Sequence, residues 1–169
     1  MIILGCIGLI GGCGITGLWQ AGRIRRRPRE LREFLTLLVL LDTEINWGLT
    51  PLPEAFSNLQ ERSSFPWQNF LSELKNKVQA GESAGQAWAS TILNQQKKFC
   101  LKPEDWQVIG DVGKGLGRSD KAQQHKQLEL VQKQLVNIRE QAVVWAEKQA
   151  KMWSYLGFIV GIAGVIFLI

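Results

Sequence analysis

The sequence has 169 residues, 46% of them hydrophobic, a formal charge of +5, three cysteines and one histidine. Cys6, Cys13 and Cys100 supply neither a disulfide framework nor metal-ligand spacing, and His125 has no second histidine with which to share a metal. The charge is local: Arg23, Arg25, Arg26, Arg27, Arg29 and Arg32 set against Glu30 and Glu33 carry +4 of it, so nucleic-acid binding is not supported.

No charged side chain precedes Arg23 and none follows Lys151. At about 1.5 Å per helical residue, residues 2–19 and 152–169 are each long enough to cross most of a hydrocarbon core of about 30 Å, and both are expected to be transmembrane helices. The first stretch does not fit a cleaved signal peptide or a lipoprotein box, because its basic residues follow the apolar run instead of preceding it. Gly8 with Gly12, and Gly157 with Gly161, are small-residue pairs that suit close helix packing, while Trp19, Trp153 and Tyr155 fall at interfacial positions. Arg23, Arg25, Arg26 and Arg27 read as a cluster facing anionic lipid, which places residues 20–151 on the cytoplasmic side.

Between the spans the apolar residues recur at helical spacing, and no window alternates with period two. A first helix starts near Pro28, buries Leu31, Phe34, Leu38, Leu41 and Ile45, and stops at Gly48. Thr50 is expected to cap a second helix with Pro51 at its first position and Leu52, Ala55, Phe56 and Leu59 inside. A third starts from Ser64 and Pro66 and buries Trp67, Phe70, Leu71, Leu74 and Val78, ending at Gly81. A fourth begins near Ser83 with Ala84, Ala87, Trp88, Thr91 and Ile92 inside; Pro103 opens a fifth with Trp106, Ile109, Val112 and Leu116. Asp120 is expected to cap the last helix, whose seam is Leu128, Val131, Leu135, Ile138, Ala142, Trp145, Gln149 and Met152, antiparallel to the first. The fold class is therefore all-α: an antiparallel bundle of about six cytoplasmic helices between two membrane helices.

No catalytic constellation emerges, and no cofactor is expected. His125 lies in a polar stretch and reads as a solvated residue. Gly113-Lys114-Gly115-Leu116-Gly117 lacks the spacing of a phosphate-binding loop and reads as a helix end followed by a turn. A lipid-directed enzyme would need a nucleophile and base that the sequence does not offer. A small two-span pore of the holin type is the alternative, against which the long patterned central region speaks.

Two stretches resemble a known family. Arg27-Pro28-Arg29-Glu30-Leu31-Arg32 with Glu44 to Phe56, and Gly115 to Asp120 with Gln124 and Lys151-Met152-Trp153, resemble stage III sporulation protein AB, and the resemblance extends over essentially the whole chain. It implies a non-enzymatic membrane component of the machine that endospore formers build between mother cell and forespore, in the mother-cell membrane facing the forespore. The cytoplasmic domain of that family is similar to the platform protein of type II secretion and type IV pilus systems. The implied partners are the stage III sporulation ATPase and other membrane components of the channel, with self-association left open. Arg29, Glu30, Glu44, Thr50, Pro51, Pro53, Glu54, Gly117, Asp120 and Gln124, at helix junctions within the two motifs, are the expected partner contacts.

Overall fold

The computed structural model describes residues 24–46, 48, 50–117 and 121–168. Its helices are α1 (Arg26–Asn46), α2 (Leu52–Glu61), α3 (Trp67–Gln79), α4 (Ala84–Gln95), α5 (Pro103–Gly115) and α6 (Lys121–Leu168), with a short 3-10 turn at Gln96–Lys98. Among the described residues there is no strand. The chain divides into two compact units, one of Arg29–Arg139 and one of Met1–Pro28 with Glu140–Ile169.

The Arg29–Arg139 unit is built on aromatic rings. Trp67 is fully buried at the start of α3. Its ring stacks on Phe34 of α1 at 4.6 Å between centroids, meets Phe99 at 4.5 Å and crosses Phe70 edge-on at 5.5 Å. Trp88 of α4 and Trp106 of α5 close the cluster through Phe70 and Phe99. Burying an indole obliges its N–H to find an acceptor. Trp67 Nε1 donates to the Glu30 carbonyl and Trp88 Nε1 to the Ile109 carbonyl, each at 3.0 Å, so both rings also fix which helices lie beside them.

Helix limits follow from local chemistry. Ser83 accepts from the Gln86 N–H and caps α4, and Pro103 sits in the first turn of α5, where the Asp105 carboxylate accepts from the Lys102 N–H at 2.8 Å. The α1–α2 corner departs from expectation. Pro51, not Thr50, occupies the cap position of α2, and the Thr50 hydroxyl donates to Glu44 Oε2 at 2.9 Å while the Thr50 N–H donates to the Glu44 carbonyl. The side chain that would have capped α2 instead ties the corner back to α1. A Cβ on Gly48 would sit 2.8 Å from the Thr50 hydroxyl oxygen and 2.9 Å from the Glu44 carbonyl oxygen, which is why the corner closes on glycine.

Away from the rings, a polar clasp joins α3 to α4. Glu73 accepts from Asn94 at 2.8 Å and from the Gln95 amide, and pairs with Lys77 at 2.8 Å, while Lys77 also donates to Ser90. Burial alone would raise the Glu73 carboxyl, but the hydrogen bonds from Lys77, Gln95 and Asn94 outweigh it and hold the group below its usual 4.5.

The last helix corrects the expected seam. Leu128, Val131, Leu135 and Ala142 are buried as anticipated, but the next inward residues are Ala146 and Ala150, while Trp145 and Met152 are exposed and Gln149 is half-buried. Past Ala142 the inward positions step by four with only alanine, so small size and not apolar bulk decides which residues turn in. Helix α6 runs unbroken through Gly157. Among the described residues no helix is long and apolar enough to cross a membrane, and the first expected span, residues 2–19, lies outside them.

Candidate functional site

Helices α4 and α5 each turn a second face toward a groove beside the ring cluster. Along α4 it carries Gly85, Ala89, Ile92 and Leu93; along α5 it carries Gln107, Gly110 and Lys114. Together with Leu52 and Pro53 at the start of α2 and with Gly117, these residues line an open groove of about 1060 Å³. The floor is low because the helices approach closely: a Cβ on Gly85 would lie 3.0 Å from the Gly113 carbonyl oxygen, and one on Gly113 only 2.6 Å from the Trp88 ring. Above Gly110 the space is open to at least 4 Å, and Leu93 stands 69% exposed at the rim. Lys114 is the charged group of the lining, and it pairs with Asp111 at 2.6 Å.

One end of the groove joins the two distant motif stretches. Helix α5 ends at Gly115, Leu116 is buried, and Gly117 adopts φ +74°, a left-handed turn natural to glycine. A Cβ on Gly117 would stand 3.7 Å from Ala84 Cβ and 3.9 Å from Leu52 Cδ1. Residues 65 positions apart in sequence therefore share one surface, at which Pro53 is half-buried and Pro51 and Glu54 are exposed.

The other expected contacts have different places. Glu30 is buried, and its carboxylate accepts from the Cys100 N–H at 2.8 Å, so it fixes α1 against the chain after the 3-10 turn. Arg29 is exposed and pairs with Glu33 at 3.3 Å, Glu44 is engaged with Thr50, and Gln124 is buried in the first turns of α6. Arg25 and Arg26 are exposed and Arg27 is half-buried. Arg23 and Asp120 lie outside the described residues.

The residues that sequence reasoning missed are Gly85, Ala89 and Gly110. Their signal was small residues at helical spacing beside each core stripe, legible once the core face of each helix is fixed. Nothing in the groove joins a nucleophile to a base, and among the described residues no cluster of side chains is suited to a metal ion. The groove is open and mostly apolar, with Ser83, Gln86, Gln107 and Lys114 as its polar side chains.

His125 is exposed on α6, and its Nδ1 lies 2.9 Å from both carboxylate oxygens of Asp42, near the end of α1. That hydrogen bond, and then the Asp42 charge, raise the imidazole above its usual 6.5. The pairing joins the end of α1 to the start of α6, as antiparallel neighbours require.

The family model of stage III sporulation protein AB matches residues 2–169. Stage III sporulation protein AB of Bacillus subtilis (strain 168) is 27% identical over 167 residues, covering 98% of both chains. A solved structure of stage III sporulation protein AB (SpoIIIAB) superposes with a TM-score of 0.67 at 26% identity, over 70% of this chain and 94% of the other. The helices that build the groove thus stand in a chain that belongs to the stage III sporulation protein AB family.

Proposed function

We propose that the chain is a membrane-anchored platform in the channel between mother cell and forespore, coupling a cytoplasmic assembly ATPase to the membrane part of that machine. Family membership supports a role in sporulation. The observation that carries the finer reading is the meeting of Leu52 and Gly117 at the end of one apolar groove, because it turns two separated motif stretches into a single docking surface. The stage III sporulation ATPase is the occupant proposed for that surface, through an apolar ridge narrow enough to reach Ala89 and Gly110.

Anchoring rests on the sequence: residues 2–19 and 152–169 carry no charge, and the basic cluster from Arg23 to Arg32 keeps residues 20–151 in the mother-cell cytoplasm. Helix α6 extends from Lys121 to Leu168, into the second of these segments. The other membrane components of the channel are the partners proposed for the segments themselves.

The test is reconstitution of the full-length protein in lipid nanodiscs with the purified sporulation ATPase, reading co-purification and ATP turnover. A stable complex that changes turnover, and that is lost in Ala89→Trp, is the expected result. An ATPase that neither binds the reconstituted protein nor changes its turnover would sink the coupling role.

A further inference from the structure

The unit of Met1–Pro28 with Glu140–Ile169 carries a smaller open surface pocket, about 300 Å³, lined by exposed Arg25, Glu147, Lys151 and Tyr155 and by Ala150. Glu147, Lys151 and Tyr155 follow one another at intervals of four along α6 and so leave the helix on one stripe. Ala150 beside them is buried at the edge of the pocket, and Arg25, just ahead of α1, lines it as well. Glu147 and Lys151 stand in the order that favours an ion pair along a helix. Among the described residues, however, no hydrogen bond or ion pair engages the side chain of Arg25, Glu147, Lys151 or Tyr155. Two cations, one carboxylate and one phenol therefore border a common space with their polar groups uncommitted.

We propose that this pocket binds a phosphoethanolamine headgroup. The phosphodiester is taken by the Arg25 guanidinium and the Lys151 ammonium, with the Tyr155 hydroxyl donating to a further phosphate oxygen. The ammonium of the same headgroup is taken by Glu147, four residues and about 6 Å along the helix from Lys151. A purely anionic headgroup leaves Glu147 facing negative charge, and a phosphocholine offers it no N–H to accept. The mixture of charges thus selects a zwitterion with a primary amine, where a simple basic patch selects net negative charge. Tyr155 is the kind of amphipathic ring that settles at headgroup depth, and the chain beyond Lys151 is uncharged, so a membrane lipid is the source if the anchored reading above holds; a free phosphoethanolamine shares the chemistry.

The experiment is native mass spectrometry of the full-length protein released from detergent, with phosphatidylethanolamine, phosphatidylcholine and phosphatidylglycerol offered in turn. The expected result is retention of phosphatidylethanolamine about tenfold above the other two, the scale of one charge-assisted contact. Glu147→Gln is expected to erase the preference over phosphatidylglycerol, and Arg25→Ala with Lys151→Ala to weaken all three, with unchanged helicity by circular dichroism as the control; Lys151→Arg is expected to retain binding. Equal retention of the three lipids by the wild-type protein, or an unchanged preference in Glu147→Gln, overturns the site. Soluble O-phosphoethanolamine and inorganic phosphate form a second arm. Displacement of lipid by the former and not the latter supports the site, and equal displacement by both overturns the role of Glu147. Alkaline carbonate extraction of membranes reads the anchoring separately: a protein that is washed off while still binding soluble phosphoethanolamine loses the lipid as source and keeps the site.

Discussion

Helices α4 and α5 each present two faces, and the two behave in opposite ways. The inner face packs Trp88 on Phe70 and Trp106 on Phe99, with Trp106 also reaching the groove; the outer face places Gly85, Ala89 and Gly110 in that open groove. On α4, where Ile92 and Leu93 also line the groove, hydropathy alone does not separate them. Side-chain size contributes, because large rings at helical spacing fill the space between elements whereas small residues lower the floor and leave it unfilled. A closed core and an open groove can thus be written on the same two helices.

Removing the centre of the inner face is the largest expected disturbance. Trp67→Ala deletes a fully buried ring stacked on Phe34 and its hydrogen bond to the Glu30 carbonyl, and a loss of about 3–5 kcal/mol is expected in chemical denaturation. Next comes the seam where the two faces touch. The Cβ of Gly113→Ala would meet Trp88 Cδ1 at 2.6 Å and Trp88 Cβ at 2.9 Å, so the ring cannot simply swing aside; overpacking of this kind is expected to cost about 1–3 kcal/mol. A Gly113→Ala protein as stable as the wild type would mean that α4 and α5 slide freely, and the size-based contrast would lose its basis.

The sequence makes the inner face legible and the outer one opaque for the same reason. Core stripes such as Leu31, Phe34, Leu38 and Leu41, or Trp106, Ile109 and Val112, announce themselves because bulky apolar residues recur at three and four, and each is buried as expected. Gly85, Ala89 and Gly110 have no hydropathy signal, and their role depends on α5 lying against α4, which is a tertiary fact. The motif residues divide similarly. Leu52 and Gly117 belong to two recognisable stretches, but only the folded chain puts them side by side. Glu30 and Glu44, expected as outward contacts, are turned inward because the Cys100 N–H and the Thr50 hydroxyl need acceptors there. Along α6 the Trp145 position fails because heptad spacing, carried too far, drifts off the buried face.

A smaller effect of opposite sign is expected in the groove itself. Gly110 lies in the interior of α5 with nothing within 4 Å of a Cβ built on it, so Gly110→Ala meets no steric penalty and gains helix propensity. A stabilisation of about 0.5–1 kcal/mol is expected by thermal or chemical unfolding. A larger side chain at the same place separates the two faces directly. Gly110→Trp should leave the stability of the aromatic core in chemical denaturation near the wild type while obstructing the groove, so loss of ATPase binding with stability retained would assign docking to the outer face. Destabilisation by Gly110→Ala would show that the face is already covered within the bundle.

The smallest effect concerns the tie between α1 and α6, which lies at neither of these faces. His125 accepts its raised affinity for a proton from the hydrogen bond to Asp42 and from the Asp42 charge. A group whose proton is bound more tightly in the folded state stabilises the fold fully at pH values below its unfolded pKa, and loses that contribution as pH rises through the higher folded value. The window therefore opens near the ordinary imidazole value of 6.5 and extends upward. Comparing wild type with His125→Gln by denaturation across that range, the wild-type advantage should shrink as the pH rises, while the variant stays flat. The imidazole is exposed, so salt should reduce the difference further, as it does for surface pairs. An advantage that grows with pH would show that His125 is held as the neutral ring, and the link from α1 to α6 would then rest on the buried seam of Leu128, Val131 and Leu135 alone.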